Sequence, residues 1–202
     1  CTSNGQFTTI CSAFDSSNQE PEVGLTQASD GALYGTHKTG GGLGAVYRIT
    51  TNGVYSLVYS FDGAAAHPVG ELVDVGDALY GTTYDDGYFA NGTVYRITTG
   101  GAYTSLWKAT YGSQGARPLA GLALGLDGQL YGTTSEGGPE GGQGTVYRIT
   151  TGGSLSQLWV FPFYTVASPY GYKPASKLLQ GADGHFYTTT RAGSTYDAGE
   201  FF

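Results

Sequence analysis

Residues 79–98 read Leu-Tyr-Gly-Thr-Thr-Tyr-Asp-Asp-Gly-Tyr-Phe-Ala-Asn-Gly-Thr-Val-Tyr-Arg-Ile-Thr. Two short runs rich in Tyr, Thr, Val and Ile flank a loop of Asp, Gly and Asn. β-Branched and aromatic residues suit a pleated strand, and Asp-Gly and Asn-Gly pairs suit turns. The stretch therefore predicts two antiparallel strands, b and c, joined by a long loop.

The same pattern recurs outward in both directions. Leu33-Tyr34-Gly35-Thr36, Leu130-Tyr131-Gly132-Thr133 and Phe186-Tyr187-Thr188-Thr189 match strand b. Gly44 to Thr50 and Gly144 to Thr150 match strand c, and a fourth copy stops at Gly199-Glu200-Phe201-Phe202. Ahead of each b strand stand a Pro and a Leu: Pro21/Leu25, Pro68/Leu72, Pro118/Leu122 and Pro174/Leu178. An Asp follows each Leu, at Asp30, Asp77, Asp127 and Asp183. The prolines lie about fifty residues apart, so the chain is four tandem copies of one unit. Each unit predicts four strands: a with the Leu, b, c, and d after a turn such as Asn52-Gly53. Val46 on one side and Tyr47 and Ile49 on the other make the strands apolar on both faces. Each sheet is therefore expected to be covered on both sides, as in a propeller blade or a stacked array.

The predicted fold class is all-β: four four-stranded antiparallel repeats, propeller-like. Residues 15–61, 62–110 and 111–163 form repeats 1–3, and residues 164–202 form an incomplete repeat 4. Residues 1–14 read as a complementing d strand, because Asn4-Gly5-Gln6-Phe7 matches Asn52-Gly53-Val54-Tyr55. Phe7, Ile10 and Phe14, with Phe201 and Phe202, mark where that strand would complete repeat 4. It can do so within one chain, closing a four-bladed ring, or in the next chain, building a head-to-tail filament.

Composition narrows the function. Of 202 residues 35 are Gly, 17 Tyr and none Met, and charged residues make up 12%. This suits a secreted β-protein. The net charge of −7 argues against nucleic acid and against anionic membrane surfaces as partners. No stretch has the length and apolarity of a membrane span. Cys1 and Cys11 are the only thiols. Three readings stay open for them: a disulfide, lipid modification of Cys1, or free thiols.

No catalytic, cofactor or metal site is expected. His37, His67 and His185 fall at different repeat positions and lack neighbouring ligands at metal spacing. The repeated Asp residues read as turn formers, and Asp85-Asp86-Gly87 is a weak calcium motif. Arg48, Arg96 and Arg148 recur at one place in strand c, where a turn Asp could satisfy them. The b–c and d–a loops lie at one end of the sheets and vary most, so binding is expected there. They carry Tyr84, Tyr88, Phe89, Tyr111, Tyr164, Tyr170, Tyr172 and Tyr196, which suit sugar stacking or subunit contacts. Asn91-Gly92-Thr93 is a glycosylation sequon.

The Leu-Tyr-Gly-Thr-Thr, Gly-Thr-Val-Tyr-Arg-Ile-Thr-Thr and Asp-Gly pattern resembles the GloVer-type tandem repeat of bacterial extracellular proteins with a choice of C-terminal anchors. That resemblance covers nearly the whole chain and implies an exported, surface-associated or released β-protein. It transfers no catalytic residues. The chain departs from it in having four units and no recognisable sorting segment, which favours release or self-assembly. Two functions follow as expectations. The first is a non-enzymatic extracellular structural homopolymer joined by strand sharing. The second is a monomeric four-bladed propeller that binds glycans or another surface ligand.

Overall fold

The computed structural model describes residues 5, 6, 8–10, 21, 23–38, 42–62, 66–85, 91–112, 114–162 and 171–193. Each of the first three repeats folds as a four-stranded antiparallel meander. Repeat 1 comprises β1 (Thr26–Gln27), β2 (Leu33–His37), β3 (Ala45–Ile49) and β4 (Tyr55–Ser60). Repeat 2 comprises β5 (Ala66–Val75), β6 (Ala78–Asp85), β7 (Thr93–Thr98) and β8 (Tyr103–Lys108). Repeat 3 comprises β9 (Ala123–Leu124), β10 (Leu130–Thr134), β11 (Thr145–Ile149) and β12 (Leu155–Val160). In repeat 4, β13 (Tyr172–Pro174) pairs β16 (Thr190–Ala192), and β14 (Leu179–Gln180) pairs β15 (Phe186–Tyr187). Its pairs Leu179↔Tyr187 and Pro174↔Thr190 reproduce Val73↔Tyr80 and Pro68↔Thr83 of repeat 2. The chain is thus all-β and propeller-like, built from one repeated sheet.

Two local features explain the repeated glycines. At the c–d turn, the Thr50 N–H donates to Val54 O and the Gly53 N–H to Thr50 O, closing a three-residue loop. Gly53, Gly101 and Gly153 hold the left-handed position there at φ 87°, 89° and 92°, and Gly5 does so at 83°. Only the glycine of each Asn-Gly or Gly-Gly pair takes positive φ, as in a type I turn with a bulge. In strand d the ladder shifts register opposite Val46/Tyr47, Val94/Tyr95 and Val146/Tyr147. The extra residue of that bulge is Val58, Leu106 or Leu158.

The anchor leucines sit differently from expectation. Strand a is continuous across Leu72 but changes register between Val69 and Val73, and β1, β9 and β14 begin after their leucines. The bulge turns Leu72, Leu122 and Leu178 into the joint between repeats, where they are buried.

Packing follows one rule. Tyr34, Val46 and Phe61 of repeat 1 meet Leu72, Leu79, Tyr95 and Ile97 of repeat 2. Tyr80, Val94 and Trp107 meet Leu122, Leu130, Tyr147 and Ile149 of repeat 3. Tyr131 stacks on Phe186 of repeat 4 at 4.1 Å between ring centroids. Every buried side chain of this size stabilises the fold by about 1.5–3 kcal/mol, and it can do so only when the next sheet covers it.

A second joint lies at the long-loop end. The residue before each proline takes left-handed φ: His67 at 51°, Arg117 at 55° and Lys173 at 57°. Its N–H donates to the preceding repeat, at Leu43 O (2.7 Å), Asn91 O (2.7 Å) and Gln143 O (2.9 Å). The proline ring then lies on Gly44, Gly92 or Gly144, where a Cβ would collide with its Cδ. The Pro and Gly anchors of the sequence are therefore two sides of one seam. Left-handed backbone at a non-glycine residue costs about 1–3 kcal/mol, offset here by the hydrogen bond between repeats.

Candidate binding face and axis

The axis is built from the position just before each anchor leucine: Gly24, Glu71, Gly121 and Lys177. All four line one cavity of about 380 Å³. A Cβ on Gly24 would run into the Glu71 carboxylate, and one on Gly121 would lie 2.6 Å from Glu71 O. Lys177 Nζ of repeat 4 reaches Glu71 Oε2 of repeat 2 at 3.4 Å. One glutamate therefore touches the equivalent position of every other repeat. Both partners are about half exposed, so the pair is screened and worth less than about 1 kcal/mol.

The N-terminal strand enters the same pattern through Ile10. Val58 O of repeat 1 lies where a Cβ on Gly101 would be 2.6 Å away, and Leu106 O of repeat 2 lies 3.0 Å from a Cβ on Gly153. Ile10 O lies in that relation to Gly53, close enough to exclude a Cβ. Ile10 thus occupies, beside repeat 1, the place that a preceding repeat's bulge residue would take.

The repeated polar residues are consumed in structure. The Tyr34 hydroxyl donates to Asp30 Oδ2 at 2.9 Å, and Arg48 contacts both groups. Arg96 pairs with Asp77 at 3.1 Å and hydrogen-bonds Tyr80. The Tyr131 hydroxyl donates to Asp127 at 2.8 Å, with Arg148 beside it. In repeat 4 the Tyr187 hydroxyl donates to Asp183 at 2.6 Å. The Tyr131 and Tyr187 hydroxyls, helped by the N–H groups of Gln129 and His185, hold Asp127 and Asp183 below the ordinary carboxylate range. This triad ties the a–b turn to strand c, which is the turn-Asp role expected for the arginines.

His37 and His67 are likewise engaged in the fold. His37 is buried against Tyr47 at 4.4 Å, and burial lowers its pKa. His67 Nδ1 lies 3.0 Å from Asp85 beside the proline seam, where repeat 3 has Arg117 and Glu136 at 3.0 Å. Asp85 of the acidic motif is therefore engaged by an imidazole. Among the described residues, no three His, Cys, Asp or Glu gather as a metal site. Among the described residues no helix is long and apolar enough to cross a membrane.

Of the loop aromatics, Tyr84, Tyr111 and Tyr172 are described. Arg117 lies over the Tyr84 ring at 5.6 Å, and Tyr111, 59% exposed, also acts on that guanidinium. Tyr172 is half-buried at the start of β13. Tyr84 and Tyr111 thus share Arg117 as a neighbour, and Tyr172 stands in the next repeat. Asn91 is half-buried, with its carbonyl in the proline seam. Tyr88, Phe89, Tyr164, Tyr170, Tyr196, Phe7, Phe14, Phe201, Phe202, Cys1 and Cys11 lie outside the described residues.

The repeated sheets, the triads and the shared joints define a bacterial repeat protein with a propeller-like fold. The chain belongs to the Gloeobacter/Verrucomicrobia repeat family, whose model matches residues 1–202. No curated protein matches the sequence. Among solved structures, it is similar to a protein described as a gluconolactonase, at 17% identity and a TM-score of 0.53. The match covers 88% of this chain and 61% of that one, so the chain spans less than two thirds of its length. It is also similar to the Bacteroides ovatus xyloglucan PUL GH43B, at 19% identity, 82% and 34% coverage and a TM-score of 0.44. The periplasmic gluconolactonase of Pseudomonas aeruginosa matches at 14% identity, 90% and 70% coverage and a TM-score of 0.41. At these identities the likeness to the first concerns the fold alone.

Proposed function

We propose that the chain is a non-enzymatic, exported β-propeller that closes on itself and binds glycans or another surface ligand through its long-loop face. The observation that carries this reading is the axis, where Glu71 meets Gly24, Gly121 and Lys177 from the other three repeats. An open stack would place repeats 2 and 4 on opposite sides of repeat 3, and a side chain of repeat 4 would not reach repeat 2. Ile10 against Gly53 supports the N-terminal strand as the fourth repeat's missing d strand, supplied within the same chain. A head-to-tail filament uses the same strand between molecules, and the reach of Lys177 in repeat 4 to Glu71 in repeat 2 is what weighs toward closure. The non-enzymatic reading rests on the repeated Asp, Tyr and Arg groups being engaged in the triads rather than aimed at a cleft.

Variable loops at one end of a closed ring form a rigid platform for recognition. Glycan-array screening with electron microscopy of the same sample tests both halves of the reading. Discrete particles that bind a defined glycan set are expected. Fibres would replace closure with the filament, and a silent array with Tyr84→Ala and Tyr172→Ala without effect would remove glycan binding.

A further inference from the structure

We propose that the joint between repeats 2 and 3 on the long-loop face is a sugar subsite with Tyr111 as its platform, and that it takes a neutral, glucose-configured pyranose of a glycan. This rests on the glycan-binding reading and names the substrate class and position within it.

Tyr111 stands on a lengthened loop. Phe61 and Ala109 are equivalent, since their N–H groups donate to Gly44 O and Gly92 O. From there one d–a loop runs to Pro68 and the next to Pro118, so the second is two residues longer. The added length is pinned. Thr110 bridges Gly115, and the Trp107 indole N–H donates to Gln114 Oε1 at 2.9 Å. The Thr145 hydroxyl donates to Gln114 O at 3.3 Å, and the Gly138 N–H donates to Tyr111 O at 3.3 Å. Gly115 lies so close to Thr134 and Thr145 that a Cβ there would strike both hydroxyls. The loop is thus held by strand d of repeat 2 and strands b and c of repeat 3. Yet the Tyr111 residue is 59% exposed, and a Cβ on the next residue, Gly112, would meet nothing within 4 Å. An exposed ring adds little to folding. Held on an ordered backbone, it suits recognition instead: a Tyr has few torsions to freeze, and its loop is set before a ligand arrives.

The neighbours define the ligand class. Arg117 lies over the Tyr84 ring at 5.6 Å, and its Nη1 donates to Glu136 Oε1 at 3.0 Å. Tyr111 acts on the same guanidinium. The two side chains of the ion pair are 35% and 28% exposed. The pair carries no net charge, and the chain's charge of −7 disfavours an anionic glycan. Donors and acceptors set side by side suit the vicinal hydroxyls of a sugar, each of which both donates and accepts. The negative face of an aromatic ring attracts polarised C–H groups. A pyranose with equatorial hydroxyls turns its axial C–H groups outward on both faces, which favours the glucose configuration. The joint between repeats 1 and 2 lacks this set. Lys38 stands there in the place of Tyr84, His67 and Asp85 in that of Arg117 and Glu136, and Asp62 to Ala65 include no aromatic residue.

Isothermal titration of the whole chain with cellotetraose and with tetragalacturonate tests the assignment. Cellotetraose should bind, at least about tenfold more tightly than tetragalacturonate, and its affinity should change less than about twofold between about 0.05 and 0.5 M salt. Tyr111→Ala should weaken it about tenfold, while Tyr111→Phe, which keeps the ring, should stay within about twofold. Thermal melting of both variants reports whether the fold is kept, and the exposure of the ring makes its loss tolerable to the sheets. Tetragalacturonate bound as tightly as cellotetraose would overturn the neutral class. Cellotetraose binding that ignores Tyr111→Ala would overturn the site. No binding of either oligosaccharide, with an array positive for other glycans, would overturn this proposal alone; a silent array would remove glycan binding as well.

Discussion

Trp107 and Trp159 hold the same place in successive sheets, opposite Val94 and Val146. Trp107 is 8% exposed and lies 5.3 Å from the Tyr147 ring of the next repeat, while Trp159 is 50% exposed. Tyr59 at the same position in repeat 1 stacks on Tyr103 of repeat 2 at 4.7 Å. Leu25 and Leu72 form a second such pair: each touches its own glycine alike, yet Leu25 is 47% exposed and Leu72 is 3%. The side chains are equivalent and the neighbours differ. An outer-strand aromatic is buried by strands c and d of the following repeat, so Trp159 is the position that repeat 4 must cover. In the sequence, Phe202 and Phe7 stand at the repeat positions of Tyr147 and Tyr103.

Breaking the buried side of the comparison should have the largest effect. Trp107→Ala is expected to lower unfolding free energy by about 3–5 kcal/mol, read from urea titration, because it opens a cavity against Tyr147. A loss below about 1 kcal/mol would mean that the joint between repeats 2 and 3 contributes little. Gly92→Ala should come next, at about 2–4 kcal/mol, since its φ is 87° and a Cβ would lie 2.5 Å from both Pro118 Cδ and Thr83 O. The exposed side can be sharpened with fluorescence. In a Trp107→Phe background, deleting residues 1–14 should red-shift Trp159 and raise its quenching by acrylamide; an unchanged spectrum would show that the N-terminal strand does not cover it.

A smaller effect concerns pH. His37 stands where repeats 2 and 3 carry Thr83 and Thr134, each hydrogen-bonded to a threonine on strand c. Burial depresses the His37 pKa below its ordinary 6.5, so the fold favours the neutral ring. Its contribution is full above about pH 6.5 and is lost as pH falls toward the depressed value, because the unfolded chain takes up the proton first. His37→Thr with Ala45→Thr should import the threonine pair and flatten the stability profile between about pH 5 and 7. A profile that keeps its slope would place the titration elsewhere. The smallest effect is expected from Asp77→Asn, under about 1 kcal/mol, because Asp77 is 87% exposed and its bond to Arg96 is solvent-screened.

Much of the fold was legible because each repeated residue makes a repeated contact. The Pro and Gly anchors form the seam, Asp and Arg bracket the Tyr hydroxyl, and Val and Tyr face opposite neighbours. The glycine of Tyr-Gly-Thr was legible as a motif but not as a cause: it leaves room for the hydroxyl of Tyr47, Tyr95 or Tyr147. The strand-d bulge and the left-handed residue before each proline carry no sequence signature, since Val58, Leu106, His67 and Arg117 are ordinary at their positions. The axis was hidden for another reason. Glu71 and Lys177 lie 106 residues apart, and their meeting follows from how the repeats dock rather than from any local pattern. The pairing of Tyr84 with Arg117 depends on how adjacent repeats dock, which no single repeat announces.

Sedimentation equilibrium of the 202-residue chain, across a hundredfold range of concentration, asks whether the fourth repeat is completed from within. A single species of 21.0 kDa at every concentration is the predicted result. A mass that climbs with concentration, and falls back when residues 1–14 are removed, would mean that the strand completes a neighbour and that the molecule is a filament subunit.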